Sequence, residues 1–552
     1  MKKTVIRLVQ SLFLLCALSV TVYAGNTSHD GYLVKLNDNY PVLYSHTSNS
    51  ASIVVVDTLA EAEAIPQEYV EYIEPNYIVE LFDNGDDQNV IWAPNDPLYP
   101  DYQQPLQALD GLALYRAGLT GEGIKVGFVD SGINASHEDL NADTISGVNF
   151  HSDGLAYSVD SYGHGTFAAG ILAAQIDNNT GLCGMAPDVQ IMAYRAFSTK
   201  TTTMDCVVNA IDQAVADGCQ IINLSLGLST ESITLEAAVN RAIDSGAVVV
   251  AAVGNNGTET PQYPASYDGV IGVGSVKLSD DTFAVSNFSQ RNNSVFVTAP
   301  GEGLAGLGYT TATSYRLDLT SANNSGTSYA APAVSALAAL ALDYDTDITA
   351  DGVRYLLRTT AQDMGEQGYD TSYGYGVIDP AAFLTELQRD FEINYELNGG
   401  ELHGRPPASY TVTDDSITLS VTPIRNGYIF KGWYTDEACT AEITEIPAGS
   451  LGDFMLYAAW TKAPSFAGVT ESGQLQIETE APFAQVQLFR SDYDASGKLV
   501  SCSIITVTLH AGNNLFTIKE IHEEGSYSTF FLLNTACSPL TAALTLPGVS
   551  GS

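Results

Sequence analysis

Between residues 95 and 390, short apolar runs alternate with segments of helical periodicity. The apolar runs are continuous rather than alternating with polar positions, which is typical of parallel strands covered on both faces. Strands are predicted at 124–130, 189–197, 220–227, 247–255, 270–276 and 295–300. Helices are predicted at 164–175, 205–216, 234–245, 328–342 and 349–359. The pattern therefore predicts an α/β domain with a mostly parallel sheet.

The most apolar helical segment begins at Ser328 and has no polar face. A helix that is apolar all round is buried in the core of a large domain. We expect Pro332 to lie in its first turn, where no backbone N–H is required. Ser328 then stands among unpaired N–H groups at the positive end of the helix dipole. That position suits either a helix cap or a nucleophile whose reaction generates negative charge.

The first 24 residues have the pattern of a secretory signal peptide. Lys2, Lys3 and Arg7 precede an apolar stretch, and small residues lead to a predicted cut after Ala24. The stretch is short for a membrane span, and we expect no later segment to be long and apolar enough to cross a bilayer. The sequence therefore predicts an exported, soluble protein.

Residues 25–82 predict a small α+β domain. Strands are expected at 31–36 and 53–57, a short helix at 60–64, and a pair of extended runs around a turn at 69–81. A domain of this size is near the lower limit for independent folding and is expected to need a partner surface. A linker is predicted at 83–94, where the polar, glycine-containing start favours proteolysis.

Two β-rich domains are predicted after the α/β domain, at 391–462 and 463–552. Aromatic residues and strand-like runs are typical of the first, and turn residues divide the second. Neither contains a group of residues that suggests catalysis. We expect the second to be a β-sandwich.

The net charge and the cysteine content limit which classes of partner and which metals the protein is expected to bind. The formal net charge of −42 argues against nucleic acid, because binding phosphates requires a basic surface. The carboxylates suit calcium or, alternatively, a strongly solvated secreted surface. The cysteines are sparse and lack zinc-type spacing, and Cys502 and Cys537 could pair within the last domain.

Reactive side chains lie at the ends of the predicted elements. Asp130, Ser225 and Asn255 lie at strand ends, whereas His164 and Ser328 begin helices. In open α/β sheets, sites form at the carboxyl ends of the strands. An Asp, a His and a Ser can form a nucleophilic relay, and an Asn amide can stabilise the oxyanion. Taken singly, these residues also fit turns or helix caps, but together they favour a catalytic site.

Three motifs resemble those of the subtilisin-like serine proteases, the subtilases. They are residues 130–133 (DSGI), 163–166 (GHGT) and 326–332 (GTSYAAP), and their order is the family's order. The resemblance implies a subtilisin-like three-layer fold and a serine endopeptidase with Asp130, His164 and Ser328 as its triad. Asn255 matches the family's oxyanion asparagine. The rival α/β-hydrolase interpretation requires Gly-x-Ser-x-Gly, which this serine motif does not match.

The same resemblance implies a substrate pocket. Its residues are Ser225, Leu226, Gly227, Gly254 and Gln262. Asn256 stands where some members carry an acid, so the pocket lacks an obvious charge. This predicts an apolar or broad preference at the residue before the cut. Phe167 and Tyr329 replace a His and a Met common in the family, and we expect them to change the fit rather than remove activity.

A propeptide and a calcium site are also implied by resemblance. Residues 25–82, most clearly 72–77 (YIEPNY), resemble the inhibitory propeptide of subtilases, which assists folding and is removed by the enzyme itself, here near Phe82. Asp139 matches a calcium ligand of many members, and residues 175–182 resemble its partner loop with one extra residue. Asp139 and Asn179 are therefore candidate calcium ligands, with a solvated turn as the alternative.

Residues 391–462 resemble the Listeria–Bacteroides repeat of exported bacterial proteins. Segments 398–400, 427–434 and 456–460 carry the resemblance. It implies a β-rich module with an adhesive or spacer role and contact with a cell surface or matrix. The sequence thus predicts a secreted, monomeric endopeptidase that acts on proteins or peptides and is inhibited by its own propeptide. A catalytically dead surface-binding scaffold and a serine esterase are the other interpretations.

Overall fold

The computed structural model describes residues 29–36, 53–56, 58–66, 70–77, 92–280, 282–402, 404–470, 472, 474–480, 482–517, 526–533 and 544–547. Two compact units make up the chain, Met1–Ala93 and Pro94–Ser552. The predicted signal peptide, residues 83–91 of the predicted linker, Phe82 and Cys537 lie outside the described residues.

The first unit contains a three-stranded antiparallel sheet and a short helix. Its elements are β1 (His29–Leu36), β2 (Ile53–Val56), α1 (Leu59–Glu63) and β3 (Val70–Tyr77), with β1 in the middle of the sheet. Val34 and Ala62 are fully buried in its core. The prediction of two extended runs around a turn at 69–81 was wrong for the described part, because Pro75 pairs with Tyr32 inside one continuous strand.

The second unit is built on an eight-stranded sheet. Its strands are β4 (Lys125–Asp130), β5 (Ile145–Asn149), β6 (Gln190–Arg195), β7 (Ile221–Leu224), β8 (Val248–Ala252), β9 (Ile271–Ser279), β10 (Thr282–Val285) and β11 (Val297–Pro300). The order is β10-β9-β8-β7-β4-β6-β5, with β11 beside β9, and only β10 runs antiparallel. The predicted mostly parallel sheet is confirmed. A separate hairpin follows, formed by β12 (Gly306–Leu307) and β13 (Tyr315–Arg316).

Helices cover both faces of this sheet. They are α2 (Tyr99–Tyr102), α3 (Gln104–Ala108), α4 (Ala113–Arg116), α5 (His164–Ala173), α6 (Met204–Ala216), α7 (Ile233–Asp244), α8 (Thr327–Tyr344), α9 (Ala350–Thr360) and α10 (Pro380–Leu387). One hydrophobic core includes α5 and α8, and the other includes α6 and α7, while the sheet contributes to both. The three-layer α/β fold is therefore confirmed. The helices that were not predicted are short, so their apolar periodicity is weak.

The helix α8 is buried along most of its length. Every residue from Tyr329 to Leu342 is buried. By length and composition Ala322–Tyr344 could also span a membrane, so the expectation that no later segment could do so was wrong. Burial inside the fold accounts for its composition, since 89% of its most apolar window is covered by protein.

The prediction that Pro332 lies in the first turn of α8 was wrong. The helix begins at Thr327, so Pro332 is its sixth residue. Proline has no N–H to donate to the carbonyl oxygen four residues earlier, which belongs to Ser328. Oγ of Ser225 donates to that oxygen instead, at 2.7 Å. A side chain from the end of β7 thus replaces the missing helical bond.

The rest of the second unit is β-rich, as predicted. Its strands are β14 (Phe391–Glu396), β15 (Ser409–Tyr410), β16 (Ile417–Thr418), β17 (Tyr428–Tyr434), β18 (Glu442–Ile443), β19 (Glu445–Ile446), β20 (Phe454–Lys462), β21 (Ser465–Val469), β22 (Gln474–Thr479), β23 (Phe483–Tyr493), β24 (Leu499–Leu509), β25 (Gly512–Thr517), β26 (Tyr527–Leu533) and β27 (Leu544–Pro547). The sheet β15-β14-β20-β17-β18 packs around Trp433 and Leu456. The sheets β21-β22-β25 and β24-β23-β26-β27 share a core, which is a sandwich arrangement. Cys502 is exposed on β24.

Candidate active site

The carboxylate of Asp130 contacts the imidazole of His164. Asp130 is the buried last residue of β4, and His164 is the first residue of α5. Nδ1 of His164 lies 2.8 Å from Oδ1 and 2.9 Å from Oδ2 of Asp130. The contact favours the tautomer with its proton on Nδ1 and leaves Nε2 available to accept a proton.

Two glycines allow the chain to pack closely around His164. Gly163 has φ +87°, in the left-handed region, and a Cβ there would lie 2.1 Å from the ring of Tyr309. A Cβ on Gly165 would lie 2.2 Å from the carbonyl oxygen of Gly132. A side chain at either position would therefore require the Tyr309 ring or the backbone after Asp130 to move.

Asp160 fixes the start of α5 and was missed from the sequence. Its Oδ1 accepts hydrogen bonds from Oγ of Ser131 and from the N–H groups of Tyr162 and Gly163, at 2.7–3.0 Å. Its Oδ2 accepts from N and Oγ1 of Thr166, at 2.9 and 2.6 Å. An acid just before a predicted helix is a capping signal that the sequence did contain. Asp160 thus ties the segment after Asp130 to the helix that begins at His164.

Ser328 lies at the second position of α8 and lines the same cleft as His164. The cap position belongs to Gly326, which makes no side-chain cap bond, so the helix-cap interpretation of Ser328 was wrong. Oγ of Ser328 donates to the carbonyl oxygen of Ser225 at 3.0 Å. No hydrogen bond joins Ser328 to His164 among the described residues. A change of the χ1 rotamer would redirect the hydroxyl, and such bonds commonly tighten only when substrate is bound.

Asn255 is oriented by the residue that precedes Ser328. Its Oδ1 accepts hydrogen bonds from N and Oγ1 of Thr327, at 2.8 and 2.9 Å. Oγ1 of Thr327 also accepts from the N–H of Gly254, at 3.1 Å. With Oδ1 occupied in this way, the Nδ2 amide of the exposed Asn255 is left to donate into the cleft.

A cleft of about 1160 Å³ joins these groups. All five residues predicted for the substrate pocket line it: Ser225, Leu226, Gly227, Gly254 and Gln262. Gln262 is buried, and its Nε2 donates to the carbonyl oxygen of Pro261 at 3.1 Å. Besides Asp130 and His164, the lining residues that carry an ionisable acidic or basic side chain are Lys200, Arg316 and Asp318, among those described.

An aromatic stack lies beside His164. The ring of Tyr329 has its centroid 5.2 Å from that of His164 and 4.2 Å from that of Phe167. The guanidinium of Arg316 lies 4.6 Å from the centre of the Phe167 ring. The two residues that depart from the family's pattern therefore pack on each other, and an arginine that sequence analysis did not single out covers them.

The surroundings of His164 raise its pKa above that of a free histidine side chain. Burial lowers the pKa of His164, but the charge of Asp130 and its hydrogen bond act in the opposite direction. Asp160 adds to the increase and Arg316 opposes it, and the net pKa is raised above its ordinary value. The arrangement therefore stabilises the imidazolium that a general base forms.

Asp139 does not line the cleft. Its buried carboxylate carries a negative charge that a bound cation could neutralise. It is fully buried, and burial raises its pKa to about 7. Its oxygens accept from Nδ2 of Asn178 at 3.1 Å and from the N–H of Leu182 at 2.7 Å. The side-chain contact of this loop with Asp139 comes from Asn178, whereas the N–H of the predicted ligand Asn179 donates to Oδ1 of Asn95. The described residues hold no group of three or more His, Cys, Asp or Glu side chains arranged for a metal ion.

Comparison with known proteins gives two matching families. The Subtilase family matches residues 121–376, and the Listeria-Bacteroides repeat domain matches residues 391–459. The chain is 37% identical over 311 residues to the Thermophilic serine proteinase of Bacillus sp. (strain AK1), covering 56% of this chain and 71% of that protein. It is 40% identical over 270 residues to Subtilisin DY of Bacillus licheniformis, covering 48% and 92%. It is 34% identical over 278 residues to Thermitase of Thermoactinomyces vulgaris, covering 50% and 94%.

Proposed function

Because this chain belongs to the subtilase family and is a serine endopeptidase, we propose that Ser328 is its nucleophile, His164 its general base and Asp130 the orienting acid. The proposal is supported above all by the 2.8 Å contact between Asp130 and His164 in the cleft that Ser328 also lines. The buried α8 behind Ser328 supports it further, because a rigid element holds an attacking atom in position.

Peptide hydrolysis then proceeds in two steps. Oγ of Ser328 attacks the substrate carbonyl carbon while Nε2 of His164 takes the hydroxyl proton. The C–N bond breaks as His164 gives that proton to the leaving amine, which leaves an ester on Ser328. A water molecule attacks the ester and gives a proton to His164, the C–O bond to Ser328 breaks, and the proton returns to Oγ. The products are one carboxylic acid and one amine.

Asn255 and the start of α8 stabilise the charge that forms on the substrate oxygen. Nδ2 of Asn255 and the N–H of Ser328 are the proposed donors, and neither donates to a protein acceptor in the described part of the chain. Donors fixed before the reaction act without reorganisation, and loss of one such donor costs about 10²–10³ in kcat.

The neutral part of the cleft supports an apolar or broad preference at the residue before the cut. Ser225, Leu226, Gly227, Gly254 and Gln262 form this part, and none carries a charge. A neutral wall offers no ion pair to a charged side chain, which would have to give up its hydration on entering.

We also propose that the enzyme is secreted and made as a zymogen. The first 24 residues have the composition of a signal peptide, and residues 25–82 resemble an inhibitory propeptide. A propeptide that remains bound after cleavage near Phe82 would inhibit the enzyme until it is degraded. The repeat at 391–459 supports contact with a cell surface or matrix. We expect the protein to act as a monomer.

A structural calcium ion is a further part of the proposal. Asp139 is buried without a cationic partner in the described part of the chain, and burial also raises the pKa of the nearby Asp96. Asp139 and the carbonyl oxygens of residues 175–182 would hold the ion, whose charge would offset the cost of burying these carboxylates.

Self-processing tests the proposed function. Ser328→Ala removes the nucleophile, so the purified variant should retain residues 25–82, whereas the wild-type protein should lose them. Normal maturation of the purified Ser328→Ala protein would contradict the proposal. A dead scaffold would leave both proteins unprocessed, and a serine esterase would cleave esters but not peptides.

A further inference from the structure

Arg316 is held beside the catalytic histidine by neutral partners. At the end of β13, its Nε donates to Oδ1 of Asn324 at 3.0 Å, and its Nη1 donates to the carbonyl oxygen of Gly163 at 3.2 Å. Nη2 donates to the carbonyl oxygen of Asn323. Arg316 therefore connects the residue before His164 with the segment before Ser328, through acceptors that carry no charge.

Arg316 has no ion-pair partner in the described part of the chain. The ion pairs of the described residues involve other basic residues, and none includes Arg316. The nearby Asp318 is exposed, and its Oδ1 accepts from N and Oγ1 of Thr320 at 3.0 and 2.6 Å. A guanidinium has five N–H groups, and Arg316 uses three of them in these bonds, while its guanidinium also donates to the Tyr329 hydroxyl. The cleft thus contains a guanidinium that has no carboxylate partner among the described residues, in a chain of net charge −42.

Arg316 lies close to the imidazole that would protonate the leaving amine. The leaving amine must depart next to the imidazole that protonates it. Arg316 bonds to Gly163, the neighbour of His164, and packs over Phe167 beside the same ring system. The neutral substrate pocket belongs to the ends of β7 and β8, where Ser225 contacts Ser328. Arg316 and the neutral pocket therefore contact different segments around the nucleophile.

We propose that Arg316 binds a carboxylate on the leaving-group peptide, so that the enzyme favours Asp or Glu at the first residue after the scissile bond. A planar guanidinium that has no carboxylate partner of its own suits a carboxylate of the substrate. The inference rests on the proposed peptidase site. The chain's own sequence is consistent with this preference. A cut after Phe82 would place Asp83 directly after the scissile bond, with Asp86 and Asp87 close behind it.

Quenched fluorescent peptides with a fixed sequence before the cut test this inference. The first residue after the cut is Glu, Gln or Lys, and kcat/KM is measured for each with the wild-type protein. We expect Glu to exceed Gln by about five- to tenfold and Lys to be poorest. Arg316→Gln should bring the Glu/Gln ratio close to one, whereas Arg316→Lys should retain part of it. The wild-type ratio should fall with added salt.

Controls separate this inference from the proposed function. A p-nitroanilide substrate has no leaving-group peptide, so it reports the triad alone, and its failure would count against the peptidase site. Lys200→Met removes the other cation of the cleft and should leave the Glu/Gln ratio unchanged. A second peptide pair carries Glu or Gln at the second residue after the cut. A third pair ends in a free or an amidated C-terminus, so it shows whether a terminal carboxylate substitutes for the side chain.

Three results would overturn the role of Arg316. The first is equal wild-type rates with Glu and Gln at the first position while the p-nitroanilide is hydrolysed. The second is a Glu preference that survives Arg316→Gln. The third is an equal loss on all peptides in that variant, which would show that Arg316 only positions His164 and Ser328.

Discussion

Ser225 and Ser328, 103 positions apart, exchange two hydrogen bonds. Oγ of Ser225 donates to the carbonyl oxygen of Ser328 at 2.7 Å, and Oγ of Ser328 donates to the carbonyl oxygen of Ser225 at 3.0 Å. The first bond exists because Pro332 has no N–H to give to the Ser328 carbonyl. Nδ2 of Asn223 in turn donates to Oγ of Ser225, at 2.9 Å. The proline in α8 therefore makes the position of Ser328 depend on the end of β7.

Ser225→Ala should destabilise the protein and slow the reaction. Loss of the hydroxyl leaves the Ser328 carbonyl without its donor, which costs about 1–2 kcal/mol in the free energy of unfolding. Denaturant unfolding in a Ser328→Ala background measures this cost without self-digestion. In the active protein, kcat should fall more than KM changes. Ser420→Ala, at an exposed side chain of the repeat domain, is the matched control and should change neither quantity. An unchanged stability in Ser225→Ala would show that the bond contributes nothing.

The pH dependence of kcat/KM should reflect the raised pKa of His164. The base must be neutral, so activity is lost as the pH falls through that pKa. Because the pKa is raised, the midpoint should lie above the ordinary histidine value of 6.5. Asp130→Asn removes the charge responsible, so the midpoint should move down while the rate falls about 10⁴-fold. Glu401→Gln, in the repeat domain, should leave the midpoint in place. A midpoint that does not move in Asp130→Asn would contradict the electrostatic account.

An ion pair between the buried Arg195 and the more exposed Asp153 should stabilise the loop that leads to His164. Arg195 is fully buried, and its Nη1 and Nη2 donate to Oδ1 and Oδ2 of Asp153 at 2.7 and 2.6 Å. Asp153→Ala should cost about 2 kcal/mol, because it leaves the buried Arg195 guanidinium without its carboxylate, although other acceptors remain. Arg195→Met combined with Asp153→Ala should recover most of this loss, as measured by denaturant unfolding. If the double variant is as unstable as the single one, the cost does not come from the unpaired charge.

The same ion pair should make the free energy of unfolding decrease at acidic pH. The guanidinium of Arg195 holds the pKa of Asp153 well below its ordinary value of 3.8. The ion pair therefore contributes fully to the free energy of unfolding at pH values above the ordinary pKa of aspartate. This contribution is lost as the pH falls toward the lowered pKa of Asp153. The difference in unfolding free energy between wild type and Asp153→Asn should shrink below about pH 3.8. If the difference stays constant as the pH falls, the ionisation of Asp153 does not contribute to the acid dependence of stability.

Removal of calcium should lower thermal stability. If an ion neutralises Asp139, a chelator should reduce the melting temperature, and added calcium should restore it. Asp139→Asn should abolish the response to calcium, whereas Asp153→Asn should retain it because that residue is paired with Arg195. A wild-type melting curve that does not respond to chelation would rule out the proposed ion.

Local sequence signals located most of the candidate site, and long-range contacts explain what was missed. Asp130, His164 and Ser328 stand at element ends that a parallel sheet brings to one edge, so motif and topology agree. Arg316 was missed because its contact with Gly163 joins residues 153 positions apart. Asp160 lies only four residues before His164, and its capping role could have been predicted.

The position of Pro332 shows why a local rule failed. A proline inside a helix is costly unless the freed carbonyl finds another donor. That donor is Oγ of Ser225, which no helix rule can supply. The contact of Asn178 with Asp139 also joins distant residues, 39 positions apart, so local sequence rules do not predict it.

Labelling with a fluorophosphonate probe, located by peptide mass mapping, tests the central claim most directly. The probe forms a covalent bond only with an activated serine, so matured wild-type protein should carry it on Ser328 alone. His164→Ala should prevent labelling although Ser328 is still present. A matured protein that stays unlabelled, or that carries the probe on another residue, would contradict the account.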